Sequence, residues 1–205
     1  MNNTLLLSKL TNIEQTKNYD SLKELISLVQ AEIQDSQYNC SSNIAKRTRY
    51  ALSYLKKTST SRPVLQKCSY QEMNGTTYQV ITNSYTAFFL KTYLPLPEVS
   101  KEESYPEVVR LVPQELEPYE MDINKILGLF KSKQLEEKIG IYPLTDWYGV
   151  AASNLKNIVD ILGSTDLKVY ISKYTRNKYP LFMFENSNGD QALLLPVKVY
   201  SKENK

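Results

Sequence analysis

"NSNGDQALLLPVKVY", residues 186–200, is the stretch on which the reading of the fold turns. Asn188-Gly189 signals a hairpin turn, and an apolar run follows. The run stops at Leu195-Pro196 and resumes as Val-Lys-Val. Proline cannot donate to a sheet ladder. Either this is an edge strand that only closes the fold, or its unpaired side borders a groove in which something binds.

Outward from that stretch, "YPLFMFEN" supplies the other arm of the hairpin and "LKVYISKY" a strand before it. Further upstream, "SNLKNIVDILG" has the spacing of a helix ended by Gly163, and "WYGVAA" reads as a strand. The same order occurs earlier. "NIAKRTRYALSYLKK" is a helix with Ser41, Ser42 and Asn43 as cap candidates. Three strand-like runs follow it: "RPVLQKCSY", "TTYQVIT" and "SYTAFFLKTYLPLP", the first two joined across Asn74-Gly75. A helix followed by three strands, with one Asn-Gly hairpin, therefore appears twice. This weak duplication of pattern predicts an α+β fold with antiparallel sheets. Between the copies, "EVSKEESYPEVVRLVPQELEP" reads as an extended connector. "MDINKILGLFKSKQ" reads as a short helix with Ile123, Ile126, Leu127 and Phe130 on its apolar side. Ahead of both copies, Leu22, Leu25, Ile26, Val29 and Ile33 predict an amphipathic helix with Ser21 placed to cap it.

The 205 residues, 41% hydrophobic and 23% charged, are an ordinary globular composition able to bury a core. No apolar run approaches the length of a membrane span and no signal segment is visible, so a cytoplasmic protein is the default expectation. Cys40 and Cys68 make neither a disulfide framework nor a metal-ligand pattern, and are expected to be free thiols. Histidine is absent, which removes Ser-His and Cys-His nucleophile arrangements and the commonest metal ligand. Asp146 beside Trp147, Glu102-Glu103 and Glu136-Glu137 are the carboxylate groupings; adjacent residues do not converge on one site. No glycine-rich phosphate loop is present. These features argue against an enzyme, and no cofactor or metal is expected.

Where the helix from residue 44 buries Ile44, Thr48, Ala51, Leu52 and Leu55, its other side carries Lys46, Arg49, Ser53, Lys56 and Lys57, flanked by Arg47. That face reads either as a solvated surface or as one offered to phosphates through sequence-blind, salt-sensitive contacts.

Four stretches in register resemble bacterial sliding clamps, the ring proteins that tether replicative DNA polymerase. "RPVLQKCSY…YQVITNSYTAFFL" is similar to the clamp segment in which Arg-Pro-x-Leu opens a strand and Thr-Asp-Gly follows a hairpin. "YPEVVRLVP" resembles the clamp's Phe/Tyr-Pro-Asp-Tyr-x-Arg-x-Ile/Leu-Pro. "AASNLKNIVDIL" resembles its second helix, and "YPLFMFEN…ALLLPVKV" its closing strands. The likeness covers residues 44–200 and is greatest to single-domain, phage-type clamp-like proteins. Asn83-Ser84-Tyr85-Thr86 departs from the family's Asp-Gly-His/Tyr-Arg and loses a basic contact. Residues 1–43 match nothing in a clamp and are expected to form a helical extension, and residues 201–205 a frayed tail.

The resemblance implies a clamp domain of two helix-plus-strand halves and a non-catalytic accessory role in DNA replication. It implies a pocket for partner peptides formed by Thr82, Ser84, Tyr85 and Ala87, by Pro106, Arg110 and Leu111, and by Leu193, Leu195, Pro196 and Val197. DNA would be met through Lys46, Arg47, Arg49, Lys56 and Lys57, with Lys156 alone on the second helix. A closed ring on double-stranded DNA would need about six such chains. The alternative is a monomeric interaction module, a decoy or adaptor for replication proteins, that keeps the pocket without a ring.

Overall fold

The computed structural model describes residues 19–38, 43–58, 62–135, 140–172 and 180–199. Cys40, Ser41, Ser42, the Glu136-Glu137 pair and the tail 201–205 lie outside these residues. The fold is α+β, with four α-helices, one large antiparallel sheet and one small sheet among the described residues. The chain divides into two compact units, Met1–Ser69 with Tyr93–Tyr105, and Tyr70–Thr92 with Pro106–Lys205.

In the first unit, helix α1 (Tyr19–Tyr38) packs against α2 (Ile44–Lys57). Ser21, expected to cap α1, lies inside it. The buried side of α1 is Leu25, Leu28 and Ala31 with Ser27, whereas Ile26 and Ile33 are each 48% exposed. The expected stripe is thus rotated. Two apolar stripes overlap on this helix, and the one carrying small residues is the one buried. Ser27 and Ala31 on α1, and Ala45 and Ala51 on α2, are small enough to permit close approach. Asn43 caps α2 from a left-handed backbone (φ 47°), its Oδ1 accepting the Lys46 N–H at 3.0 Å. Ile44, Thr48, Ala51, Leu52 and Leu55 are buried as the periodicity requires. The connection after α2 is a 3-10 turn, Pro63–Gln66, rather than the start of a strand. Proline's fixed φ favours the first position of such a turn. Buried Cys68 donates its N–H to the Pro97 carbonyl at 2.7 Å and accepts from Val99 at 3.0 Å.

The second unit is built on the large sheet, in the order β1-β2-β3-β9-β8-β7-β4. Its first three strands are β1 (Ser69–Met73), β2 (Thr76–Thr82) and β3 (Thr86–Leu90). Asn74 and Gly75 both have positive φ (53° and 73°), which makes the tight hairpin read from the sequence. The connector holds a 3-10 turn, Val108–Leu111, and strand β4 (Leu116–Pro118), and Asp122 caps helix α3 (Ile123–Lys131). Then come β5 (Ile141–Pro143), β6 (Tyr148–Ala151) and helix α4 (Ala152–Leu162), which Gly163 ends in a left-handed cap (φ 74°). Strands β7 (Lys168–Ser172), β8 (Phe182–Glu185) and β9 (Gln191–Leu194) complete the large sheet. The strand after each helix thus runs in a set of three, and the third strands of the two sets, β3 and β9, pair antiparallel at the centre of the sheet. That mirrored order, 1-2-3 against 9-8-7, is what a duplicated unit related by a twofold gives. Helix α4 packs on β6 and β9.

The proline is accounted for by a change of sheet. Strand β9 is central, between β3 and β8, and it stops at Leu194. The next strand, β10 (Val197–Lys198), belongs to the small sheet β10-β6-β5. Leu195-Pro196 is therefore the corner at which the chain leaves one sheet for the other, so no ladder position is asked of the proline nitrogen.

A buried polar cluster fixes the β8–β9 hairpin. Asn186 Oδ1 accepts the N–H groups of Asn188 and Asp190, both at 3.0 Å, and its Nδ2 donates to the Leu162 carbonyl at 2.8 Å. Asp190 Oδ1 accepts the Thr92 N–H at 2.8 Å, so the hairpin is tied to the end of β3 and the end of α4 together. No helix among the described residues is long and apolar enough to cross a membrane.

Candidate functional site

Most of the expected pocket residues meet at the sheet corner. Thr82 pairs with Ala87 across β2–β3, and Ala87 with Leu193 across β3–β9, so these three form one row of the sheet. All three are buried. They are the floor of this end of the sheet rather than contact surface.

What faces solvent is set by the β2–β3 turn. Asn83 Oδ1 accepts the N–H groups of Tyr85 and Thr86, both at 2.9 Å. Thr82 Oγ1 donates to the Thr86 carbonyl at 2.9 Å and accepts the Ser84 N–H at 3.1 Å, with Ser84 held at φ 76°. The turn is thereby rigid and presents Tyr85 outward, 65% exposed. The Tyr85 carbonyl accepts the Leu195 N–H at 3.0 Å, which brings in the corner. Leu195 is 37% exposed, Pro196 and Val197 are half-buried, and Val197 pairs with Gly149 of β6. Tyr85, Leu195 and Pro196 thus form an apolar surface over a fully packed row, on backbone that has little freedom to move.

The third contributing segment is anchored elsewhere on the sheet. Gln71 of β1 donates Nε2 to the Pro106 carbonyl at 2.8 Å, and its Oε1 accepts the N–H groups of Val108 and Val109 at 2.9 and 3.2 Å. Gln71 stands three residues before the Asn74-Gly75 turn, and the Thr82 end of the hairpin lies about 13 Å further along. Arg110 is exposed and paired with Glu107 at 2.6 Å, and Leu111 is 59% exposed. An exposed pair of this kind contributes about 0–1 kcal/mol, so Arg110 is not fixed strongly in place.

The cationic face is narrower than expected. Lys46, Arg49, Lys56 and Lys57 are exposed, with Lys56 bridged to Glu24 of α1. Arg47, expected to flank this face, is 1% exposed. It lies about 60° round the helix from Ile44, inside the buried arc, at 100° per residue. On α4, Lys156 is bridged to Asp160 one turn on. Asp146 is exposed beside Trp147, and among the described residues no three His, Cys, Asp or Glu side chains group as a metal site.

Sequence reasoning missed an open groove of about 830 Å³ along β4 and β7, lined by Pro118–Asp122 and Leu167–Tyr170. Tyr119 in this groove is partly withdrawn from water: burial first, and the Tyr148 and Tyr142 hydroxyls next, push its hydroxyl up from its ordinary value. The one available signal was the acidic run "ELEPYEMD", which the sequence divides between the connector and the start of the next helix.

The chain matches no protein-family model, no curated protein and no solved structure. The likeness to sliding clamps therefore stands on the four stretches of sequence alone.

Proposed function

We propose that this chain is a sliding-clamp-like, non-catalytic accessory protein of DNA replication, and that it works by binding a short extended peptide of a partner protein at the sheet corner. The observation that carries this reading is the corner itself. Tyr85 and Leu195, joined by a backbone hydrogen bond, expose apolar surface on a pinned turn beside Pro196. Aromatic and aliphatic groups presented on rigid backbone lose little entropy on binding, which suits them to anchor a peptide. The mirrored 1-2-3/9-8-7 strand order supports the two halves that the resemblance implies.

A DNA-facing role is the second reading, favoured by the exposed Lys46, Arg49 and Lys57. It is weakened by the burial of Arg47 and by the ion pairs of Lys56 and Lys156.

Fluorescence anisotropy separates the two. A labelled peptide with leucine and phenylalanine anchors, and a labelled short DNA duplex, are titrated at low and high salt. Peptide binding is expected to change little with salt and to weaken at least about tenfold in Leu195→Asp or Tyr85→Ala. DNA binding, if present, falls steeply with salt and is lost in Lys46→Glu/Arg49→Glu, which leaves peptide binding intact. Peptide affinity unchanged in Leu195→Asp would overturn the corner as the site.

A further inference from the structure

We propose that the groove along β4 is a second docking site, separate from the sheet corner, for an extended peptide segment of a partner protein carrying lysine or arginine. It lies three strands from β9 in the sheet order, about 14 Å at ordinary strand spacing.

Strand β4 is the outer strand of the large sheet, and an exposed strand edge usually invites a new strand. Here that mode is weakened. Tyr119 donates its N–H inward to the Val169 carbonyl at 2.9 Å, so by the alternation of an antiparallel ladder the neighbouring position, Pro118, faces outward. Proline has no N–H to offer there, so of the two outward positions of this three-residue edge, Leu116 and Pro118, Leu116 alone has an N–H for an incoming strand. An occupant must therefore be held largely by side chains.

Those side chains select its charge. Glu120 and Asp122 line the groove, and Glu115 and Glu117 precede them on the same short stretch. The basic lining residue, Lys168, stands directly opposite Glu185 in the β7–β8 ladder. On a chain whose net charge is +3, this edge is locally acidic. One ring suits a cation as well: Tyr170 stands opposite Pro118, whereas Tyr119, one rung on, turns to the other face and is held edge-on against Phe182 at 5.5 Å. Lysine and arginine are attracted both to carboxylates and to tyrosine ring faces, whereas an acidic segment would be repelled by the first and gain nothing from the second.

The test is a titration of the full ¹⁵N-labelled chain followed by amide chemical shifts. The probe is the blocked pentapeptide Ala-Arg-Ala-Lys-Ala, the length of the lining run Pro118–Asp122, and its control carries glutamate at both charged positions. The expected result is saturable shifts confined to residues 119–122 and 167–170 with the basic peptide, none with the acidic one, and binding at least about tenfold weaker in Glu120→Lys. Glu120 is exposed, so that variant folds; Tyr170→Ala, checked for an unchanged melting transition, tests the ring independently. Saturable shifts at Tyr85 and Leu195 instead, equal response to the acidic peptide, or no saturable response would each overturn the proposal. Affinity unchanged in both variants would do the same.

Discussion

Glu103 shows how much one contact can do and how local its effect remains. Its carboxylate accepts from Lys67 Nζ at 2.6 Å and from the Ser100 N–H at 2.8 Å. The Lys67 ammonium first, and then the Ser100 N–H, lower its pKa from 4.5 to about 2. Because the folded value is the lower one, the unfolded chain takes up the proton first as pH falls. The contribution to stability is therefore complete above about 4.5 and is lost as pH drops towards 2. Carboxyl-detected NMR should give a Glu103 midpoint near 2 in the wild-type chain, and a midpoint moved up towards the ordinary range in Lys67→Ala. No movement would mean that Lys67 is not the cause. Lys67 and Glu103 are 36 residues apart, and nothing in the periodicity of either segment announces their pairing. Arg47 was opaque for the opposite reason. A charged residue is read as exposed by default, and only the arc actually buried by α1 and its neighbours shows otherwise.

At the scale of elements, what was legible had strong local physics behind it. Asn-Gly at the first hairpin, the Gly163 cap and the apolar spacing of α2, α3 and α4 each fix backbone through a few adjacent residues. The elements that were missed, β4 and β5, are three residues long and owe their existence to partner strands distant in sequence. The corner at Leu195-Pro196 was seen as an interruption, but that the chain changes sheets there depends on β6, which no local pattern identifies as the partner. The candidate site was legible to the same degree. Thr82, Ala87 and Leu193, expected to line a pocket, do lie in one row, yet their burial beneath the surface follows from sheet register alone. The β5–β6 pairing makes a sharp prediction. A Cβ added at Gly149 would lie 2.3 Å from the Tyr142 carbonyl oxygen, which is backbone and cannot swing aside. Gly149→Ala should cost about 1–3 kcal/mol in a denaturant melt. Gly128, inside α3, has nothing within 4 Å of an added Cβ, so Gly128→Ala should instead stabilise by about 0.5–1 kcal/mol. Equal effects of the two substitutions would mean that β5 and β6 do not approach as closely as this.

At the scale of the whole molecule, the question is whether copies of this chain join. A ring closes only if one surface of each copy fits a different surface of the next. For a sheet protein the most direct route is edge to edge, here β1 of one copy against β4 of another. Edge β4 is three residues long and carries Pro118 at one of its two outward positions, and the edges of the small sheet, β10 and β5, are two and three residues long. None offers the run of donors and acceptors that a stable strand-to-strand joint requires. The full chain is therefore expected to be a monomer in light scattering across a wide range of concentration, at low and at high salt alike. That outcome favours a binding module that keeps the corner site and acts one chain at a time. A single concentration-stable assembly of about six chains would reverse the conclusion. It would require a joint made by surfaces other than these edges, and would return DNA encirclement to first place among the readings of α2.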